Sequence, residues 1–96
     1  MKPSVALDLN RTAVRELVAH YRLTNPRVFG SALHGTDHDA SDLDLLVDPL
    51  PTATLFDVGG LQYELQRLLG VQVEVFTPMA LPTRFRDRVM TEAEPV

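Results

Sequence analysis

Between Arg27 and Arg67 the chain has no lysine or arginine, yet it holds Asp37, Asp39, Asp42, Asp44, Asp48, Asp57 and Glu64. Inside this acidic stretch lies Asp42-Leu43-Asp44-Leu45-Leu46-Val47-Asp48, which limits the possible folds more than any other segment. Read as a strand, it puts Asp42, Asp44 and Leu46 on one face and Leu43, Leu45 and Val47 on the other. The second face is wholly apolar and needs a covering layer. The first carries two acids whose roots lie roughly 6–7 Å apart by strand rise. Acids in a partly buried strand need a partner or a raised pKa. With no basic residue near in sequence, a hard cation is the economical partner, and Mg2+ prefers carboxylate oxygens together with water and phosphate.

The neighbouring segments supply the rest of such a sheet. From Asn10, a plausible N-cap, RTAVRELVAHYRL sets Ala13, Val14, Leu17, Val18 and Tyr21 at helical spacing. Thr24-Asn25-Pro26 breaks that helix, and Arg27-Val28-Phe29 reads as a short strand ending at Gly30-Ser31. Residues 31–35 have the length of one or two helical turns, residues 36–41 are polar and loop-like, and Pro49 and Pro51 stop the acidic strand. Over residues 54–69, Leu55, Val58, Leu61, Leu65, Leu68 and Leu69 follow helical spacing, with Gly70 placed to terminate. Gly59-Gly60 costs about 1 kcal/mol per glycine relative to Ala, so this helix either starts near Gly60 or is held by packing. Residues 71–76 alternate as a strand, with Gln72, Glu74 and Phe76 against Val71, Val73 and Val75, and a last helix runs from about Pro82 to Glu92. This order predicts an α/β fold, a small mixed β-sheet with flanking helices.

A chain of 96 residues builds one modest core, which makes residues 1–96 a single domain and leaves no room for a second lobe. The absence of cysteine removes disulfides, thiolate catalysis and Cys-ligated zinc, so His and carboxylate chemistry remain. No apolar run reaches the roughly 18–20 residues of a spanning helix, and a cytoplasmic protein is the expectation. A net charge of −4, with the acids concentrated in the middle, argues against direct nucleic-acid binding, which relies on Lys and Arg displacing counterions.

If the Glu74 strand lies beside the acidic strand, about 4.8 Å away, Asp42, Asp44 and Glu74 could surround a pair of ions as in two-metal phosphoryl-transfer sites. Upstream, Gly30-Ser31 follows a strand and opens a helical turn, where backbone N–H groups and the Ser31 hydroxyl can hold a phosphate. Ten residues separate Ser31 from Asp42. The run GSALHGTDHDASDLDLLVD resembles the minimal nucleotidyltransferases of the DNA polymerase β superfamily, whose pattern is Gly-Ser, ten residues, then Asp-x-Asp. The resemblance extends through GGLQYELQRLLG, VQVEVFTP and the closing segment, and so covers roughly residues 10–96. It implies a nucleotidyltransferase fold with a Mg2+-ATP site. On that reading Gly30, Ser31 and His34 contact the nucleotide, Asp42 and Asp44 bind metal, and Glu74 binds metal or helps activate the attacking group. The pattern departs in two places: the third acid is usually Asp and here is Glu74, and His34 stands where Arg is common.

Other conspicuous residues receive plainer readings. Gly35 and a polar loop separate His34 from His38, which argues against a shared metal on one helix face, and His20 belongs to an amphipathic helix. Asp37 and Asp39 read as solvated loop residues and Asp48 as a strand end. Arg84, Arg86 and Arg88 read as a solvated helix face, with contact to nucleotide phosphates or an acidic partner as the alternative. Leu55, Phe56, Leu61, Leu65, Leu68, Leu69 and Phe85 read as core.

A chain this short has no domain of its own to read an acceptor. Stand-alone minimal forms in the resembled family are usually antitoxins that transfer AMP from Mg2+-ATP to a tyrosine of a small helical HEPN RNase toxin. That implies a protein adenylyltransferase working in a hetero-oligomer. The alternative is a binding module that neutralises the toxin by complex formation alone. Transfer to a small molecule such as an aminoglycoside lacks residues to build the pocket.

Overall fold

The acidic strand lies inside a four-stranded mixed sheet in a computed structural model that describes all 96 residues. Strands β1 (Leu23–Phe29), β2 (Leu43–Pro49), β3 (Val73–Phe76) and β4 (Glu94–Pro95) are arranged in the order β3-β2-β1-β4. β1 runs antiparallel to both β2 and β4, while β2 and β3 are parallel. The helices are α1 (Pro3–Leu9), α2 (Arg11–His20), α3 (Gly30–His34), α4 (Leu55–Leu69) and α5 (Thr83–Glu92), with a 3-10 turn at Pro78–Ala80.

Cross-strand register sorts the side chains into two faces, because residues paired across neighbouring strands point the same way. Val28 pairs with Leu45 and Leu45 with Val75, and Leu43 pairs with Val73. These join Ala6, Leu7, Val14, Val18, Leu61, Leu65 and Leu69 in a cluster of 14 buried residues, packed under α1, α2 and α4. On the opposite face Phe29 pairs with Asp44 and Asp44 with Glu74, and Leu46 pairs with Phe76. Its cover is thinner: a cluster of 4 buried residues, Phe29, Leu46, Leu81 and Val89, closed by α5. The alternation expected of residues 42–48 is therefore the observed one, with Leu46 buried beneath a second layer.

Helix α4 runs straight through Gly59-Gly60. A Cβ at Gly60 would stand 2.6 Å from Cε1 of Tyr21, so the glycine lets α4 approach α2 and packing offsets its helical cost. The start of α4 is tied by the Asp57 carboxylate, which accepts from Thr54 N–H at 2.9 Å and from Arg22 Nη1 at 3.2 Å. Further along, Gln62 and Gln66 accept hydrogen bonds from Val75 N–H (3.0 Å) and Val73 N–H (3.2 Å). The donors on the outer edge of β3 are thereby satisfied by side chains of α4. No helix is long and apolar enough to cross a membrane.

Several expectations are corrected. Helix α1 has no counterpart in the sequence reading, and Asn10 serves it: Asn10 N–H donates to Leu7 O at 3.0 Å and its Nδ2 to Ala6 O at 2.9 Å, with no side-chain cap on α2. Thr24-Asn25-Pro26 does not end a segment. The strand begins at Leu23 and absorbs Pro26 in a register shift between Thr24 and Arg27, where no ladder donor is needed. Two-residue β4 was too short to show periodicity. Leu55 and Phe56, read as core, are 88% and 91% exposed, and Leu68 also faces solvent, whereas Leu61, Leu65 and Leu69 are buried.

Candidate functional site

The site grows out of one row of the sheet. Phe29, Asp44 and Glu74 lie side by side across β1, β2 and β3 on the thinly covered face, and Asp42 stands just before β2, exposed at its mouth. Parallel pairing of β2 with β3 is what brings Glu74 next to Asp44, as the strand arrangement posed in the sequence reading requires. Gly30 follows Phe29 directly with φ +72, and a Cβ there would run into Asp44 Oδ2. Glycine is required at this point both for the left-handed backbone and for the close approach of the carboxylate. Ser31, half-buried, follows in the first turn of α3, which Gly35 closes in a left-handed conformation.

Asp44 is held in an unfavourable charged state. Burial pushes its pKa up to about 6, and the neighbouring carboxylates of Glu74 and then Asp42 push the same way. None of the three takes part in an ion pair with Lys or Arg. As the side chains stand, no three acids or histidines converge on a single point that could hold an ion. The chemistry of the donor set nonetheless fits a divalent cation: oxygen ligands only, no competing base, and a carboxylate whose charge lacks a counter-charge.

His34 is brought near Gly30 but not to the acids. Its Nε2 lies 3.2 Å from Glu92 Oε2, bridging α3 to α5. Between these helices opens a cleft of about 340 Å³ lined by Phe29, Gly30, His34, Phe85, Arg88, Val89 and Glu92. His38 is apart from it, its Nδ1 accepting from Ala40 N–H at 3.2 Å in the loop, so the two histidines form no pair.

Two acids read as bystanders have structural work. Asp37 is buried, and its carboxylate accepts from Ser4 N–H (2.8 Å) and Ser4 Oγ–H (3.0 Å) at the start of α1. The Ser4 N–H bond lowers its pKa against the opposing effect of burial. Asp48 pairs with Arg27 at 2.6 Å and accepts from Asn25 Nδ2 at 2.9 Å, bracing the irregular part of β1. Arg86 is not a solvated residue: it donates to Met79 O (3.2 Å) and Leu81 O (2.9 Å). Arg88, for which a solvated helix face and contact with phosphates or an acidic partner are the two sequence readings, and Phe85, expected in the core, both line the cleft.

A parallel-antiparallel sheet whose central strand presents Asp-x-Asp beside a Gly-Ser turn, with a third acid in register on the next strand, defines a nucleotidyltransferase. The family model described as "Nucleotidyltransferase domain" matches residues 11–95, and the chain belongs to that family. Its members transfer a nucleotidyl group from a nucleoside triphosphate with the help of a divalent metal. A relative from Methanocaldococcus jannaschii, provisionally named a protein adenylyltransferase, is 30% identical over 86 residues, covering 90% of this chain and 91% of the relative. Among solved structures, one described provisionally as a minimal nucleotidyltransferase superposes with a TM-score of 0.87 at 38% identity, covering 100% of this chain and 97% of the other. A toxin-antitoxin structure with AMP-PNP superposes with a TM-score of 0.75 at 24% identity over 90% of this chain and 71% of the other, a likeness of fold.

Proposed function

We propose that this chain, as a single minimal nucleotidyltransferase domain spanning residues 1–96, is a cytoplasmic antitoxin that transfers AMP from Mg2+-ATP to a tyrosine of its cognate HEPN RNase toxin. The observation that carries the reading is the row Asp44–Glu74 beside Gly30-Ser31, with Asp42 at its mouth. The name of the Methanocaldococcus jannaschii relative supports protein adenylylation, and the toxin-antitoxin fold likeness supports the class of partner.

Asp42, Asp44 and Glu74 would hold Mg2+, which when bound offsets negative charge on the phosphates and on the leaving pyrophosphate. Ser31 and the adjoining amides orient the triphosphate. The tyrosine oxygen attacks the α-phosphate in line, a P–O bond forms to the tyrosine, and the bond to pyrophosphate breaks. Glu74, exposed on the edge strand, would either complete the metal ligands or accept the phenolic proton. Asp44, with a pKa near 6, is mostly ionised at pH 7 and able to act as a ligand. Recognition of the acceptor falls to the partner surface, and Leu55 and Phe56, adjacent and exposed on α4, are apolar groups available for it.

A second reading is neutralisation by binding alone, favoured by the lack of a converged three-acid ligand set and by the apolar residues α4 leaves exposed. Incubation with Mg2+-ATP and the toxin encoded beside it, followed by intact mass measurement, separates the two. Adenylylation adds the mass of AMP to the toxin and the added mass disappears on Tyr→Phe substitution in it. A stable complex with unchanged toxin mass overturns the transferase reading.

A further inference from the structure

Arg88 lines the cleft between α3 and α5 beside Gly30, and the chemistry described so far leaves it unused. Its guanidinium enters none of the ion pairs of the protein. The other cations of this face are committed: Arg27 to Asp48, Arg86 to two backbone carbonyls, and Arg84 to the Phe85 ring at 5.8 Å. His34 is turned to Glu92, its Nε2 3.2 Å from Glu92 Oε2.

The electrostatic setting makes this lone cation consequential. Asp42, Asp44 and Glu74 form a carboxylate group that repels an incoming polyanion, and the Gly30 cleft is where the two environments meet. Asp42, Asp44 and Glu74 would hold a metal that offsets phosphate charge on the sheet side, whereas on the α5 side Arg88 is the one Lys or Arg lining the cleft, with the Glu92 carboxylate turned to His34. A guanidinium fork binds phosphate oxygens in pairs and stays charged at every relevant pH.

We propose that Arg88 is a positioning residue for the nucleotide, its guanidinium holding the β- and γ-phosphate oxygens from the α5 side of the Gly30 cleft. The proposal rests on the nucleotide-binding reading of the site and not on the identity of the acceptor. Charge selection by Arg88 would make binding depend on the number of phosphates, while Phe29, Phe85 and Val89 supply only apolar wall.

Calorimetric titration of the full chain with Mg2+-ATP and with AMP tests this on Arg88→Gln, Arg88→Lys and Arg84→Gln, with melting temperatures as a check on folding. The expected result is a loss of about tenfold or more in ATP affinity for Arg88→Gln, partial recovery in Arg88→Lys, and wild-type behaviour in Arg84→Gln. AMP affinity should stay within about twofold throughout, and in steady state KM for ATP should rise while kcat holds. Wild-type ATP affinity in Arg88→Gln, or equal losses for ATP and AMP, overturns the proposal, as does failure of the native chain to bind ATP. Arg88-dependent ATP binding without AMP transfer to any partner would remove the antitoxin reading and leave this one standing. Transfer at a normal KM by Arg88→Gln would do the reverse.

Discussion

The two faces of the sheet are built to different ends. One packs 14 buried residues beneath three helices, every one apolar and none within reach of solvent chemistry. The other buries 4 under a single helix and spends the remaining row on Asp44 and Glu74. Stability is concentrated on the first face and the proposed chemistry on the second, which implies that substitution of a buried apolar residue on the first and of an acid on the second should fail in opposite ways. On the thick face activity is lost because the protein unfolds. At Asp44 on the thin face activity is lost while the metal-free protein becomes more stable, because a buried, unpaired charge is removed.

The largest expected effect is on catalysis. Asp44→Asn should lower the rate of nucleotidyl transfer on the order of 10³-fold, measured by pyrophosphate release, with the fold intact by circular dichroism. Activity within tenfold of wild type would break the assignment of the thin face. Leu65→Ala, by contrast, should cost about 3 kcal/mol in urea unfolding by leaving a cavity between α4 and the sheet. Transfer per folded molecule should be preserved, and a specific catalytic defect there would erase the distinction between faces.

Proton linkage sharpens the comparison. The folded-state pKa of Asp44 is raised to about 6 from an ordinary 3.8, so its charged form destabilises the metal-free protein above pH 6. The penalty is relieved as pH falls through 6 toward 3.8. Allowing for partial exposure, metal-free protein should gain about 1 kcal/mol or less between pH 7 and pH 5, and Asp44→Asn should abolish this gain. Asp37 has the opposite sign: its pKa is lowered, so its contribution is present above 3.8 and is lost as pH falls through the folded value. Chelator-treated protein should therefore show a stability maximum between the two transitions, read from melting temperature against pH. A monotonic rise from pH 5 to pH 7 would contradict it.

Gly60→Ala should destabilise by about 1–3 kcal/mol despite the better helix propensity of alanine, because the methyl meets the Tyr21 ring. Gly59→Ala, where a Cβ meets nothing, should be neutral or stabilising by up to about 1 kcal/mol. The smallest effect is on the isolated chain: Leu55→Ser with Phe56→Ser should leave the melting temperature nearly unchanged and weaken capture of the toxin. Unaltered capture would remove this end of α4 from the partner surface.

Much of this was legible in the amino-acid order because it depends on local period. Alternation over residues 42–48 and 71–76 placed Asp42, Asp44 and Glu74 on strands, and Gly-Ser ten residues before Asp-x-Asp suggested the family. What remained hidden depends on contacts across the chain. Asp37 looked like a loop acid until Ser4, 33 positions earlier, was seen to donate to it. Phe56 looked like core because hydrophobicity does not say which side of a helix meets the sheet, and Arg86 looked solvated because its partners are backbone carbonyls.

By itself, then, the sequence determined which residues are proposed for the chemistry, the segments that carry them, and the concentration of acid in the middle of the chain. Those follow from spacing and charge, which need no third dimension. Only the tertiary structure decided that β2 and β3 run parallel in a register that sets Glu74 against Asp44, that the acids lie on the thin face, and that α5 brings Arg88 to Gly30. Register and layer order come from burying one apolar face as completely as possible, a property of the whole chain that no segment carries alone.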